Sequence, residues 1–456
     1  MAKSLSHFKI INNFLNNNIL TNITLIFIIF VLSSVVYDYE VNAIDITNAH
    51  DLQNSSSEKV KQNNDSIIIN YSNSNITNLT NNNEDSIYGQ IESFENNLYV
   101  VWQESVTENL PEHNYDIFFV RSEDKGKTFS MPINLSNDTK FSERPQIAIS
   151  KNGIFIVWAD TTNSNNKEIM FAKSEDNGKT FSKVKNISNN SKNSSNQEIS
   201  AFDENVYVVW QESGQNNTDD SNDNNIMFKS SIDGGNTFNN SIELINNTND
   251  AFPKIDSYAN NVYIVWNNEN KKNSGIFFTK SSDKGNNFDG TIKLNEDNNF
   301  GEPQIVVDKD KLLVIWGGLL AKNIDNIYYV KSKDNGNTFT DSKTFSENIF
   351  GYNNTNDYNK LNDIIIKNPL NVEVTNNKNL SSVVWQNTFS NQNEDILLIL
   401  LTNQEENNHA KLFNLSNNPS VSECPSITIS NNNIYAIWED YIGGNHEILF
   451  AKILTV

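Results

Sequence analysis

The chain has 456 residues, 37% of them apolar, and its 56 acidic residues outweigh 34 basic ones to give a formal charge of −22. That balance excludes nucleic acid and anionic membrane surfaces as partners, because both demand a positive face. A single cysteine, Cys424, excludes an intramolecular disulfide, so the fold must rest on packing alone.

Residues 1–18 carry Lys3 and Lys9, residues 23–36 form an apolar run short of a comfortable membrane span, and Val41-Asn42-Ala43 presents small residues for a signal peptidase. A cleaved secretory signal over 1–43 is expected, with an N-terminal membrane anchor over the same residues as the alternative. Either places the remainder outside the cytoplasm, secreted or tethered at the cell surface. Residues 44–65 are dominated by Asn, Ser and Asp, too polar to order alone, and read as a linker. The sequons at Asn54, Asn70, Asn75 and Asn78 are what any Asn-rich chain generates.

From residue 66 to 456 the text repeats. All seven tryptophans end short β-branched and aromatic runs, such as Leu98-Tyr99-Val100-Val101-Trp102 and Ile434-Tyr435-Ala436-Ile437-Trp438. Bounded by Asn and Gly turns, these are strands buried on both faces. A second repeat, Ser-x-Asp-x-Gly-x-Thr-Phe, occurs at Ser122, Ser174, Ser231 and Ser332, and with Asn287 in place of Thr at Ser281. Residues 142–188 show one complete unit. Strand A is Pro145–Ile149, strand B ends at Trp158, strand C is Glu168–Ala172, strand D is Val184–Ile187, and the Asp motif turns C into D.

Four antiparallel strands recurring every fifty-odd residues specify an all-β propeller. The tryptophans predict seven blades, with A strands near residues 86, 142, 197, 251, 302, 368 and 424. Six is the alternative, because a polar insertion follows Phe345 and no Asp motif follows Asp395–Ile399. The seventh unit ends at Val456 without a fourth strand. Ile69-Asn70-Tyr71-Ser72-Asn73 matches the D-strand text Ile133-Asn134-Leu135-Ser136-Asn137. An N-terminal strand is therefore expected to close the ring and cover both sheet edges.

The eight-residue motif resembles the Asp-box, or bacterial neuraminidase repeat, of the sialidase superfamily, with Phe for the commoner Trp. The resemblance covers five of the seven units and is nearest to exported bacterial and archaeal propellers of unassigned role. It implies that Asp124, Asp176, Asp233, Asp283 and Asp334 are structural, on turns at the face opposite the pocket. It also implies that an active enzyme would clamp a sugar carboxylate with three arginines and use a Tyr nucleophile, a Glu base and an Asp acid. The chain has only Arg121 and Arg144. Arg121 precedes an Asp-box on the far face, whereas Glu143-Arg144-Pro145 opens strand A as the family's first arginine does.

The opposite face is where A strands begin and B strands end. Glu104, Asp160, Glu212, Glu269, Glu439 and Asp440 follow the tryptophans, and Glu143, Glu302 and Glu423 precede the A strands. This ring reads either as solvated charge or as oxygen ligands for Ca²⁺. No other cofactor is expected, because His7, His50, His113, His409 and His446 are scattered and give no transition-metal set. Gln103, Gln211 and Gln386 after three tryptophans suit a neutral glycan. The expected function is an extracellular, non-catalytic module binding glycan or protein through Glu104, Asp160, Glu212, Glu439 and Asp440. The alternative is a glycoside hydrolase or lyase, with Arg144, Glu143 and Glu302 as catalytic candidates. Oligomeric state is left open.

Overall fold

The structure is a computed structural model. It describes residues 69–70, 76–106, 114–137, 141–161, 166–213, 224–248, 251–268, 274–295, 301–320, 324–345, 369–376, 380–388, 394–402, 410–431 and 433–455. The expected signal or anchor over 1–43, the linker over 44–65 and Glu269 lie outside them.

Two short strands come first, β1 (Ile69–Asn70) and β2 (Ile76–Asn78). Blade 1 is β3 (Ser86–Phe94), β4 (Asn97–Val106), β5 (Asn114–Ser122) and β6 (Ile133–Asn134). Blade 2 is β7 (Ser142–Ser150), β8 (Gly153–Asp160), β9 (Glu168–Ser174) and β10 (Lys185–Asn186). Blade 3 is β11 (Asn193–Phe202), β12 (Asn205–Ser213), β13 (Asn224–Ser231) and β14 (Ile242–Thr248). Blade 4 is β15 (Lys254–Tyr258), β16 (Asn261–Asn268), β17 (Gly275–Ser281) and β18 (Ile292–Lys293). Blade 5 is β19 (Pro303–Asp308), β20 (Lys311–Leu320), β21 (Ile324–Ser332) and β22 (Lys343–Thr344). Blade 6 is β23 (Leu370–Asn376), β24 (Leu380–Thr388), β25 (Glu394–Thr402) and β26 (Ala410–Asn414). Blade 7 is β27 (Ser422–Ser430), β28 (Asn433–Ile442) and β29 (Asn445–Thr455).

Seven antiparallel sheets therefore stand in a ring, as the tryptophan count predicts, and the six-blade alternative falls. The first strands β3, β7, β11, β15, β19, β23 and β27 neighbour one another in turn around the axis, with β27 returning to β3. The second strands hold the tryptophans, all at most 2% exposed. Apolar cores fill each space between neighbouring blades, so every second strand is buried on both sides.

Closure uses the N-terminal segment, but with different text from that expected. Ile69 and Asn70 pair only with the end of β29, opposite Thr455 and Leu454. The position of a fourth strand is taken by β2, where Thr77 and Asn78 face Phe450 and Leu449 as Ile133 and Asn134 face Phe119 and Phe118 in blade 1. The corner that follows β2 is also that of blade 1. Asn78 Oδ1 accepts the Asn81 N–H at 3.0 Å, as Asn134 Oδ1 accepts that of Asn137 at 2.8 Å. Thr80 Oγ1 then accepts the Ile448 N–H at 3.1 Å, as Ser136 Oγ accepts that of Ile117 at 3.0 Å.

The five eight-residue boxes, from Ser122, Ser174, Ser231, Ser281 and Ser332, lie on the turns between third and fourth strands and act between blades. Within a box, Asp124 Oδ1 accepts the Thr128 N–H at 2.9 Å and the Ser122 hydroxyl at 2.8 Å. The Thr128 hydroxyl and backbone bonds hold the Asp124 carboxyl down at about 2. The box glycines Gly126, Gly178, Gly235, Gly285 and Gly336 rest on Phe450, Phe119, Phe171, Phe228 and Phe278, each on the third strand of the preceding blade. The box phenylalanines meet those same rings edge-on, as Phe129 does Phe450 at 5.1 Å. Blades 5 and 6 carry Tyr329 and Leu398 at this third-strand position, and the sequence has no such eight-residue box in the blade that follows either of them.

Candidate functional site

The first strands enclose an axial cavity of about 310 Å³. Its walls present Glu92, Glu198, Lys254, Asp256, Gln304 and Glu373. Lys254 pairs with Glu198, Gln304 Nε2 donates to Glu373 at 3.0 Å, and Asp256 accepts the Ser257 and Val307 N–H groups at 2.7 and 2.8 Å. These carboxylates lie deep in the molecule and meet only the confined channel. Desolvation lifts Glu92 and Glu373 to about 7 and Asp256 to about 6.

At the mouth, the carboxylates two positions after the tryptophans turn into their own blades. Asp440 Oδ2 accepts from Asn418 Nδ2 at 2.7 Å, Ser422 Oγ at 2.9 Å and Trp438 Nε1 at 3.3 Å. Asp160 likewise takes Ser142 Oγ at 2.8 Å and Trp158 Nε1 at 3.3 Å, and Glu104 takes Asn82, Ser86 and Trp102 within 3.0 Å. Glu212 departs from this pattern: Asn190 at 2.6 Å and Lys192 at 3.2 Å hold it. Trp210 Nε1 and Ser194 Oγ are consequently buried without a partner in the protein. Three of the five binding candidates thus serve as clamps between the end of strand two and the start of strand one, and Glu212 ties its strand to the segment just before β11.

Glu439, the fifth, sits one residue after its tryptophan and points elsewhere. It is 4% exposed, accepts the Tyr88 N–H at 2.6 Å, and is lifted by burial to about 7. Gln103, at the equivalent position in blade 1, accepts the Arg144 N–H at 3.0 Å. Both acceptors bridge to a β-bulge at the start of the next blade's first strand. Five blades carry this bulge, and in each a non-glycine residue takes positive φ: Tyr88 (53°), Arg144 (51°), Asn196 (51°), Asn371 (48°) and Cys424 (46°). Bulky side chains held in this region cost energy and cluster at functional surfaces.

Three of the bulges, in blades 7, 1 and 2, meet. The Arg144 guanidinium lies 4.8 Å from the centre of the Tyr88 ring, and Gln197 Nε2 donates to the Arg144 carbonyl. Burial raises the Tyr88 phenol, with Arg144 opposing it, and burial beside Glu439 raises the Cys424 thiol. Asn371 Nδ2 contacts Cys424 Sγ at 3.4 Å. Glu143 pairs with Lys167, and Glu302 is exposed at the start of β19. Arg121 is on the far face, bonded to Glu123 and the Asn177 carbonyl. Among the described residues, no group of three or more His, Cys, Asp or Glu side chains could hold a metal ion.

The sequence reading names Arg144 and Glu439 as candidates but not Tyr88, which contacts both. A signal existed in register. The pairs Tyr88-Gly89, Arg144-Pro145, Asn196-Gln197, Asn371-Val372 and Cys424-Pro425 each precede the residue that resumes the ladder.

No family model matches the chain, and no curated protein does. Among solved structures it is similar to a protein of unknown function from Dyadobacter fermentans, at 12% identity and a TM-score of 0.49, covering 84% of this chain and all of that one. Trypanosoma rangeli sialidase is 10% identical with a TM-score of 0.45; the match covers 85% of this chain and spans 59% of that one. The intramolecular trans-sialidase of Ruminococcus gnavus is 12% identical, with a TM-score of 0.44 and coverage of 81% of this chain and 94% of that one. Similarity at this level carries no argument about activity.

Proposed function

We propose that the chain is a non-catalytic, extracellular binding propeller that takes glycan through the mouth formed by blades 7, 1 and 2. The observation that carries this reading is the stacking of Arg144, one of only two arginines in the chain, over Tyr88. A carboxylate clamp of the enzyme kind needs several planar guanidinium forks converging on one point. Here a single fork lies on an aromatic ring, and Arg121 is at the opposite face. Glu439 accepts the backbone N–H of Tyr88, and the phenol is shifted upward, away from what a nucleophile requires. Strained bulges that bring Arg144 and Tyr88 together support a preformed binding surface. An extracellular protein partner is the other occupant this rim would suit.

A second reading, glycoside hydrolysis, is favoured by Glu439, whose carboxyl at about 7 suits a general acid at neutral pH. One experiment separates the two. The purified protein is screened on a glycan array and assayed with fluorogenic glycosides, sialosides included. We expect binding without turnover, with Arg144→Ala weakening binding by about tenfold, or about 1.4 kcal/mol. Robust hydrolysis that disappears in Arg144→Lys or Glu439→Gln would replace the binding reading with the enzymatic one.

A further inference from the structure

The β28–β29 hairpin ends in Gly443-Gly444, both at positive φ (71° and 115°), with Ile442 opposite Asn445. This two-residue turn takes glycines at the positive-φ positions that match the twist of its strands. The tip is fixed from outside the hairpin. Asp85 Oδ1 accepts the His446 N–H at 2.9 Å and lies 3.1 Å from His446 Nδ1, Asn445 Nδ2 donates to the Glu84 carbonyl at 2.8 Å, and Tyr441 N–H donates to the Val421 carbonyl at 3.1 Å.

On this rigid support Tyr441 is 48% exposed, and Ile442 and Val421 are 41% and 39% exposed. The His446 ring meets Tyr441 edge-on at 5.1 Å and holds it in place. A locked aromatic ring loses little further entropy on contact, which is what a stacking platform requires. Beside it lie groups suited to hydroxyls: Asp85, with a side chain 43% exposed, and His446, 34% exposed. The acidic residues near this tip, Glu84 against Asn445 and Asp85 and Glu423 beside His446, repel an anionic ligand.

We infer that Tyr441 is the stacking platform of a subsite for an uncharged sugar, with Asp85 and His446 binding its hydroxyls. This rests on the glycan-binding reading above and adds a place and a class of sugar to it. The test titrates the full chain with neutral glucan, xylan, mannan and galactan hexasaccharides by calorimetry. We expect at least one to bind, Tyr441→Ala to weaken it about tenfold, Tyr441→Trp to keep it within about threefold, and thermal melting to stay unchanged in both. Undiminished binding in Tyr441→Ala alongside loss in Arg144→Ala would overturn the subsite while leaving the mouth reading intact. Binding of acidic glycans only would also overturn it, and no binding to any glycan would overturn both.

Discussion

Gly126 shows how much one residue of the eight-residue repeat carries. Its φ is +79°, and a Cβ there would come within 2.4 Å of Phe450 Cζ, across the junction between blades 1 and 7. Gly234, in the blade 3 box, also has positive φ (67°) but has nothing within 4 Å. The corresponding residues in the other boxes, Lys125, Asn177, Lys284 and Asn335, already adopt that conformation with side chains. Gly126→Ala is therefore expected to cost about 2–4 kcal/mol through clash and strain together. Gly234→Asn should stay within about 1 kcal/mol, since Asn tolerates this region. Urea unfolding of both variants measures the difference. Equal losses would mean that the boxes act only within their own turns and do not join blades.

At the scale of elements, the decisive piece is β2. Without β1 and β2, strand β29 would present its outer edge unpaired, including the stretch from Leu449 to Ala451 that faces Asn78 to Ile76. A chain beginning at Ser86 should lose this cover, melt lower and form oligomers through the exposed edge, whereas one beginning at Asp65 should remain monomeric at the same concentration. Thermal melting with size-exclusion chromatography reads both effects, and matching behaviour would show that closure does not depend on these strands. The same scale explains the mouth carboxylates. Glu104, Asp160 and Asp440 look in the sequence like a ring facing a ligand, yet each bonds the indole two residues earlier on its own strand.

Over the whole molecule, two sets of carboxyls titrate in opposite senses. In the channel, Glu92 and Glu373 stand near 7 and Asp256 near 6, above their unfolded values of about 4. The folded state binds these protons more tightly, so their contribution is complete below about pH 4 and is lost as pH rises through 6 and 7. Box aspartates such as Asp124 and Asp334, near 2, contribute above about pH 4 and lose that contribution as pH falls toward 2. Stability should therefore peak near pH 4 and decline as pH rises to about 7, with Lys254 the cation among the channel walls. Melting temperature across pH 3–8 tests this. Glu92→Gln with Glu373→Gln should flatten the limb above pH 5, and a wild-type melting temperature that is level from pH 5 to 8 would refute the mechanism.

The sequence by itself determined the all-β class, the seven blades, the turns of the eight-residue repeat and the tryptophan strands. Each depends on local periodicity or turn chemistry that repetition makes visible. Phe129 and Gly126 announce a turn, but only the ring reveals that both press on Phe450, more than three hundred positions away. Tertiary structure likewise decided which N-terminal text fills the last blade, since Ile69–Asn73 and Thr77–Asn81 are near equivalents in sequence and only the pairing with β29 puts Asn78 opposite Leu449. It also decided the site. Tyr88, Arg144 and Glu439 come together because bulges shift the register by one residue and because the first and last blades meet, and neither is a property of any local stretch of chain.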